Sequence, residues 1–311
     1  MDMKNVSESL MLRFADDTNG FESDRDVNNL IRKTNKKLEK IVTYLDANKL
    51  LINKVKLAYM LFKPKGIKHQ KITEKVMLGD QEVLRVPSAR FLGIFFDENM
   101  TFNVQFKELK DKLQEGIKAL LVTRKILNYK AKLLLYHGAF KSHLDYCAVA
   151  YFDKLNKKQM DEIIKLQKQA IRLVFSAPKW AHTNPLFKLS NITPVTELYK
   201  CEAIKLVFKN MNELSRDQQP RAVRDLITKT MNERSKFNEI RIPAEYKMDH
   251  CLFNILNTWN EASEDYKMSG NYWILKQALH EDIIDNLELC EVKNCWNCQN
   301  DKKNYEKYCT K

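Results

Sequence analysis

Between Phe106 and Leu121 the apolar residues Phe106, Leu109, Leu113, Ile117, Leu120 and Leu121 fall mostly three and four positions apart. That spacing lays one apolar stripe along a 3.6-residue helix. Similar patterns run from Lys130 to about Phe152 and from Lys157 to about Ser176, where Ile163, Leu166, Ala170, Ile171 and Val174 share a face. Beyond these, Thr193-Pro194 places proline where a helix start tolerates it. Further helices are predicted at 218–232, 248–262 and 270–290. The whole chain holds 7 glycines and 7 prolines in 311 residues, too few for the turns of a sandwich or barrel.

The first hundred residues read differently. "SLMLRF" and "TNGFES" look like two short strands around Ala15-Asp16-Asp17. Ser23 opens a helix in a capping-box arrangement with Asp26. Its apolar side is Val27, Leu30, Ile31, Leu38, Ile41, Val42 and Leu45, and its wet side carries Arg32, Lys33, Lys36, Lys37 and Lys40. "KVKLAYMLFK" has strand composition, "KVMLGDQEVLRV" reads as a hairpin about Gly79-Asp80, and "RFLGIFF" as one further strand before the turn "DENMTF". The fold class is therefore α+β: a small antiparallel piece, then helices.

The formal charge is +13, from 53 basic and 40 acidic residues. An excess of this size suits a polyanionic partner, and equally a lysine-rich solvated surface. The seven cysteines follow no secretory signal, so reduced thiols in a nuclear or cytoplasmic protein are expected. No apolar run approaches the ~20 residues needed to span a bilayer, so no membrane partner is expected. Cys147, Cys201 and Cys251 fall in helical patterns and read as small buried hydrophobes.

"FADDT" at Phe14–Thr18 is the stretch that bears on chemistry. Asp-Asp before Thr-Asn-Gly makes a good solvated turn. Two carboxylates at a hairpin tip can also hold a hard cation such as Mg²⁺. In two-metal phosphoryl transfer one ion activates the attacking hydroxyl and the other neutralises the leaving group, which takes at least one further carboxylate.

Six segments in order resemble the polymerase of non-LTR (LINE-type, jockey-like) retrotransposons. They are "FADDT", "LDANKLLINKVKLAYMLF", "ARFLGIFFDENMTFNVQF", "LLLYHGAFKSHLDYCAVAYF", "IIKLQKQAIRLVFSAPKWAHTNPLF" and "TWNEASEDYKMSGNYWILKQAL". The resemblance runs over most of residues 8–290. It implies a C-terminal half of a reverse transcriptase that works with Mg²⁺ on an RNA template and a DNA primer. By resemblance, Asp16 and Asp17 are metal ligands, with Asp16 the firmer. Lys56 assists the departing pyrophosphate, and Phe91, Leu92 and Gly93 form the primer grip. Gly93 there lets the backbone approach the primer. His182, Thr183 and Asn184 match "HTNPLF", where a loop-fixing role is expected.

The resemblance divides the chain into a partial palm at 1–100, a thumb-like bundle at 101–180, a helical region at 181–290 and a Cys-rich tail at 291–311. Departures bear on activity. Arg13 stands at a usually apolar position, Leu57 replaces a hydroxyl residue after Lys56, and Phe102 stands for a tryptophan. The family's fingers and first palm strand, whose aspartate binds both metals, do not fit into the few residues before Phe14. The expectation is a fragment without activity on its own. The alternatives are a nucleic-acid-binding remnant, with Lys33, Lys36, Lys37 and Lys40 tracking phosphates near Lys54, Lys56, Lys63 and Lys65, or a helical interaction protein.

In the tail, Cys295-Trp-Asn-Cys298 has zinc-knuckle spacing, and Cys290 and Cys309 could complete a four-cysteine Zn²⁺ site. A frayed reduced tail reads equally well from the same residues.

Overall fold

Leu10–Phe14 (β1) pairs antiparallel with Asp17–Phe21 (β2), with Leu10 opposite Phe21 and Phe14 opposite Asp17. Ala15 takes a φ of 51°, in the left-handed region that closes a two-residue hairpin loop. The computed structural model describes residues 10–15, 17–53, 56–62, 71–212 and 251–287. They fall into two units, one through Val104 and one from Gln105.

In the first unit, Asp26 rather than Ser23 caps the first helix, Val27–Ala47 (α1). Asp26 is extended, and its side chain accepts the backbone N–H of Asn29 at 2.7 Å. An Asp cap satisfies one of the free N–H groups of the first turn, and Glu or Gln at the third position is not needed for that. Asn28 and Asn35, seven apart on one face, tie the segment 73–77 to the helix. Asn28 Oδ1 accepts the N–H of Thr73 at 2.8 Å, and Asn35 Oδ1 accepts that of Met77 at 3.0 Å. Beneath them Ile31 packs with Val76, Leu78 and Val83. Met77–Leu78 (β4) and Gln81–Glu82 (β5) form the hairpin expected at Gly79.

The segment read as a strand around Ala58 contributes Ala58–Tyr59 (β3), which lies parallel to Leu84–Arg85 (β6). "RFLGIFF" is not one strand. Ser88–Phe91 (β7) turns at Leu92-Gly93 and returns as Ile94–Asp97 (β8). Among the described residues the strands form four separate two-stranded pieces, one of them parallel. Asp97 then organises the exit: Oδ2 accepts the N–H of Phe102 at 2.7 Å, and Oδ1 that of Thr101 at 3.0 Å.

The second unit is helical. Asn103–Thr123 (α2) leads into it and meets Tyr129–Tyr136 (α3), which Asn128 caps. Gly116 lets α2 approach the segment after α3, since a Cβ there would sit 2.5 Å from the Ala139 carbonyl oxygen. The helix predicted from Lys130 to Phe152 is broken. A π-helical segment, His137–Lys141, is followed by Ser142–Asp145 (α4). Cys147 then breaks the chain at φ 52° before Ala148–Tyr151 (α5) and a 3₁₀ turn at Phe152–Lys154.

Lys157–Val174 (α6) starts in a reciprocal Asn156–Gln159 capping box. Asn184–Ser190 (α7), Val195–Asn212 (α8), Cys251–Asn260 (α9), Glu264–Lys267 (α10) and Tyr272–Asp285 (α11) follow. Phe208, Leu256, Trp259 and Leu275 centre the core of α8, α9 and α11. Fully burying side chains of this size contributes roughly 1.5–3 kcal/mol each. Of the three cysteines predicted buried, only Cys201 is, and burial pushes its thiol up to about 11. Cys147 is exposed at its chain break and Cys251 at a helix start. Residues 218–232 lie outside the described residues.

Candidate metal hairpin and basic surfaces

The β1–β2 hairpin sets Asp17 at the first position of β2, exposed and opposite Phe14. Alternation sends Met11 inward and leaves Leu10, Leu12 and Phe14 exposed. Asp16 lies outside the described residues. Carboxylate oxygens suit Mg²⁺, but Asp17 alone is one ligand. Among the described residues no three of His, Cys, Asp and Glu come together to hold a metal ion. The described residues therefore do not by themselves make a two-metal site. Cys290, Cys295, Cys298 and Cys309 lie outside the described residues.

Lys56 sits exposed in a turn, its N–H donating to the Asn53 carbonyl at 3.1 Å. Phe91, Leu92 and Gly93 form the β7–β8 turn. Leu92 has φ 45° and Gly93 φ 85°, the sign pattern of a tight hairpin turn. Gly93 is thus required by the turn itself, whatever approaches it. Leu92, with a Cβ in the left-handed region, carries conformational strain and leaves its side chain exposed. Thr183 precedes α7 as its cap residue without a side-chain cap bond, and His182 is exposed.

On α1, Lys33 pairs with Asp24 and Lys37 with Glu22, both acids supplied by the segment after β2. The Lys33 ammonium holds the Asp24 carboxyl below its usual range. Lys36 and Lys40 are exposed on the same helix. Lys54, Lys63 and Lys65 lie outside the described residues.

A second basic surface lies in the helical unit. No Asp or Glu occurs between Glu115 and Asp145, or between Glu162 and Glu197. The fold brings these acid-free stretches together at the C-terminal end of α6. The ring of Tyr129 lies 5.0 Å from that of Phe175, and Lys132 Nζ donates to Ser176 Oγ at 2.8 Å. Burial lowers the Lys132 pKa, and Arg124 lowers it further. Around them Arg124, Lys125, Lys130 and Lys179 are exposed. The sequence signal was a gap in the acids, not a run of bases.

No family model matches the chain, and neither does any curated protein or solved structure.

Proposed function

We propose that the chain is part of an RNA-directed DNA polymerase of the non-LTR retrotransposon type, and that by itself it binds nucleic acid without extending a primer. The β1–β2 hairpin carries the reading, because it puts Asp17 of "FADDT" at an exposed strand start. In this reading the first unit is a partial palm, with the Leu92-Gly93 turn as primer grip. The helices from Asn103 to Val174 are the thumb. The charge of +13 and the exposed Lys36 and Lys40 support a polyanionic partner. Two ions need more than one carboxylate, and among the described residues no group of three His, Cys, Asp or Glu joins Asp17; the reading therefore expects no primer extension.

The full chain with a labelled RNA–DNA primer–template tests this. Binding should weaken steeply with salt, because each neutralised phosphate releases counterions. Lys36→Ala with Lys40→Ala should lower the slope of log Kd against log salt by about 2. Salt-insensitive binding would remove phosphate tracking. Extended product with Mg²⁺ would remove the claim of inactivity.

A further inference from the structure

Val122 and Ile126 stand at the α2–α3 elbow with 76% and 78% of their surface exposed, and Trp180, on the loop after α6, with 65%. Isolated exposed apolar residues need no explanation, but these share one end of the helical unit with the acid-free basic surface. The loop is pinned there: Arg172 Nε donates to the Ala181 carbonyl at 2.8 Å, and Ala181 N–H closes a turn on Pro178 at 3.0 Å. Arg124, Lys125 and Lys179 are the adjoining exposed cations.

We propose that this tip docks on the surface of an anionic lipid bilayer. Side chains that project from two turns need a partner that deforms around them, and a bilayer interface does so without a preformed groove. Aliphatic groups reach the acyl boundary, tryptophan favours the headgroup level, and flanking cations meet anionic headgroups. Phosphates of a nucleic acid would use the cations but gain nothing from Val122 and Ile126. The absence of a spanning helix among the described residues does not bear on surface docking. The proposal does not rest on the polymerase reading, since it uses neither the hairpin nor α1, although its tip belongs to the helices read there as the thumb.

The test is co-sedimentation of the full chain with phosphatidylcholine vesicles, with and without phosphatidylserine. The chain should bind the phosphatidylserine vesicles and bind the neutral ones far less. Ile126→Glu and Trp180→Glu should each lower partitioning about tenfold. Lys125→Ala should lower it about fivefold, and raised salt should act in the same direction. Unchanged far-UV dichroism and melting of the variants keep these losses from being losses of fold. The proposal is overturned by no binding to anionic vesicles at low salt, or by equal binding to neutral ones. Binding indifferent to Ile126→Glu and Trp180→Glu also overturns it, because charge alone would then suffice. A loss of RNA binding in those variants with vesicle binding intact would assign the tip to nucleic acid instead.

Discussion

Gln167 Oε1 accepts the backbone N–H of Val195, the first residue of α8, at 2.7 Å. The amide of the same side chain donates to the Thr193 carbonyl at 3.1 Å and to the Tyr136 hydroxyl at 3.2 Å. One buried glutamine therefore ties α6 to α3 and to the start of α8. Gln167→Leu keeps the volume but strands the buried Val195 N–H and the part-buried Thr193 carbonyl. It should cost about 3 kcal/mol, read as a lower midpoint in urea unfolding. A cost below about 1 kcal/mol would mean that the neighbours find other partners.

Gly116 and Gly138 give opposite outcomes for the same substitution. A Cβ at Gly116 would meet the Ala139 carbonyl oxygen at 2.5 Å, whereas one at Gly138 meets nothing within 4 Å. Gly116→Ala should destabilise by about 2 kcal/mol or more through overpacking against backbone. Gly138→Ala should be neutral or gain up to about 1 kcal/mol of helix propensity. Paired thermal melts decide it, and equal shifts for the two would contradict the packing.

His280 Nδ1 lies 3.0 Å from Thr193 Oγ1. Burial lowers its pKa from 6.5, the Asn191 backbone opposes the shift, and Lys141 and Lys205 reinforce it. A lowered histidine pKa means the unfolded chain takes up the proton first. Its contribution is complete above 6.5 and is lost as the pH falls from there through the folded value. Melting temperature should drop between pH 7.5 and 5.5 in the wild type, and drop less in His280→Gln. Identical profiles would remove His280 from the acid response.

Among the described residues Tyr199 Oη and Asp153 Oδ1 are buried atoms with no hydrogen-bond partner, although Asn254 Nδ2 donates to Asp153 Oδ2 at 2.8 Å. Burial first, and then the Asp153 charge, push the Tyr199 pKa upward. Tyr199→Phe removes an unpaired polar atom and should be neutral or stabilising by up to about 1 kcal/mol. Asn254→Leu removes one of the carboxylate's donors, leaving the Lys154 ammonium at 3.3 Å, and should destabilise by about 1–2 kcal/mol. Urea midpoints of the two variants should move in opposite directions or differ clearly. A large loss in Tyr199→Phe would show that the hydroxyl has work in the fold.

Much of the architecture was readable because local chemistry and periodicity agreed. The β1–β2 hairpin was readable from two short strand-like runs around Ala15-Asp16-Asp17, and α6 from the helical spacing of Ile163, Leu166, Ala170, Ile171 and Val174. What the sequence hid were turns without the residues that normally mark them. Leu92 and Cys147 adopt left-handed backbone although neither is glycine or asparagine, so a hairpin looked like one strand and a broken segment like one helix. Tertiary contacts impose those conformations, and periodicity does not encode them. The candidate site was legible as residue types only. That Lys33 and Lys37 would meet Asp24 and Glu22 depended on how the chain turns after β2, and the basic tip depended on two distant stretches meeting at the end of α6.

The π segment at His137–Lys141 works as an inserted residue in the phase of a helix. Each residue in an α-helix advances by about 100°, so everything after Lys141 is rotated by that step from where an unbroken helix would carry it. Leu144, 1% exposed, owes its inward direction to this extra residue. A descendant that lost one position between His137 and Lys141 would regain a regular helix and turn Leu144 toward solvent. The length of that five-residue stretch is thus constrained as tightly as the buried Phe140 within it, whereas the exposed His137 and Gly138 leave room for substitution.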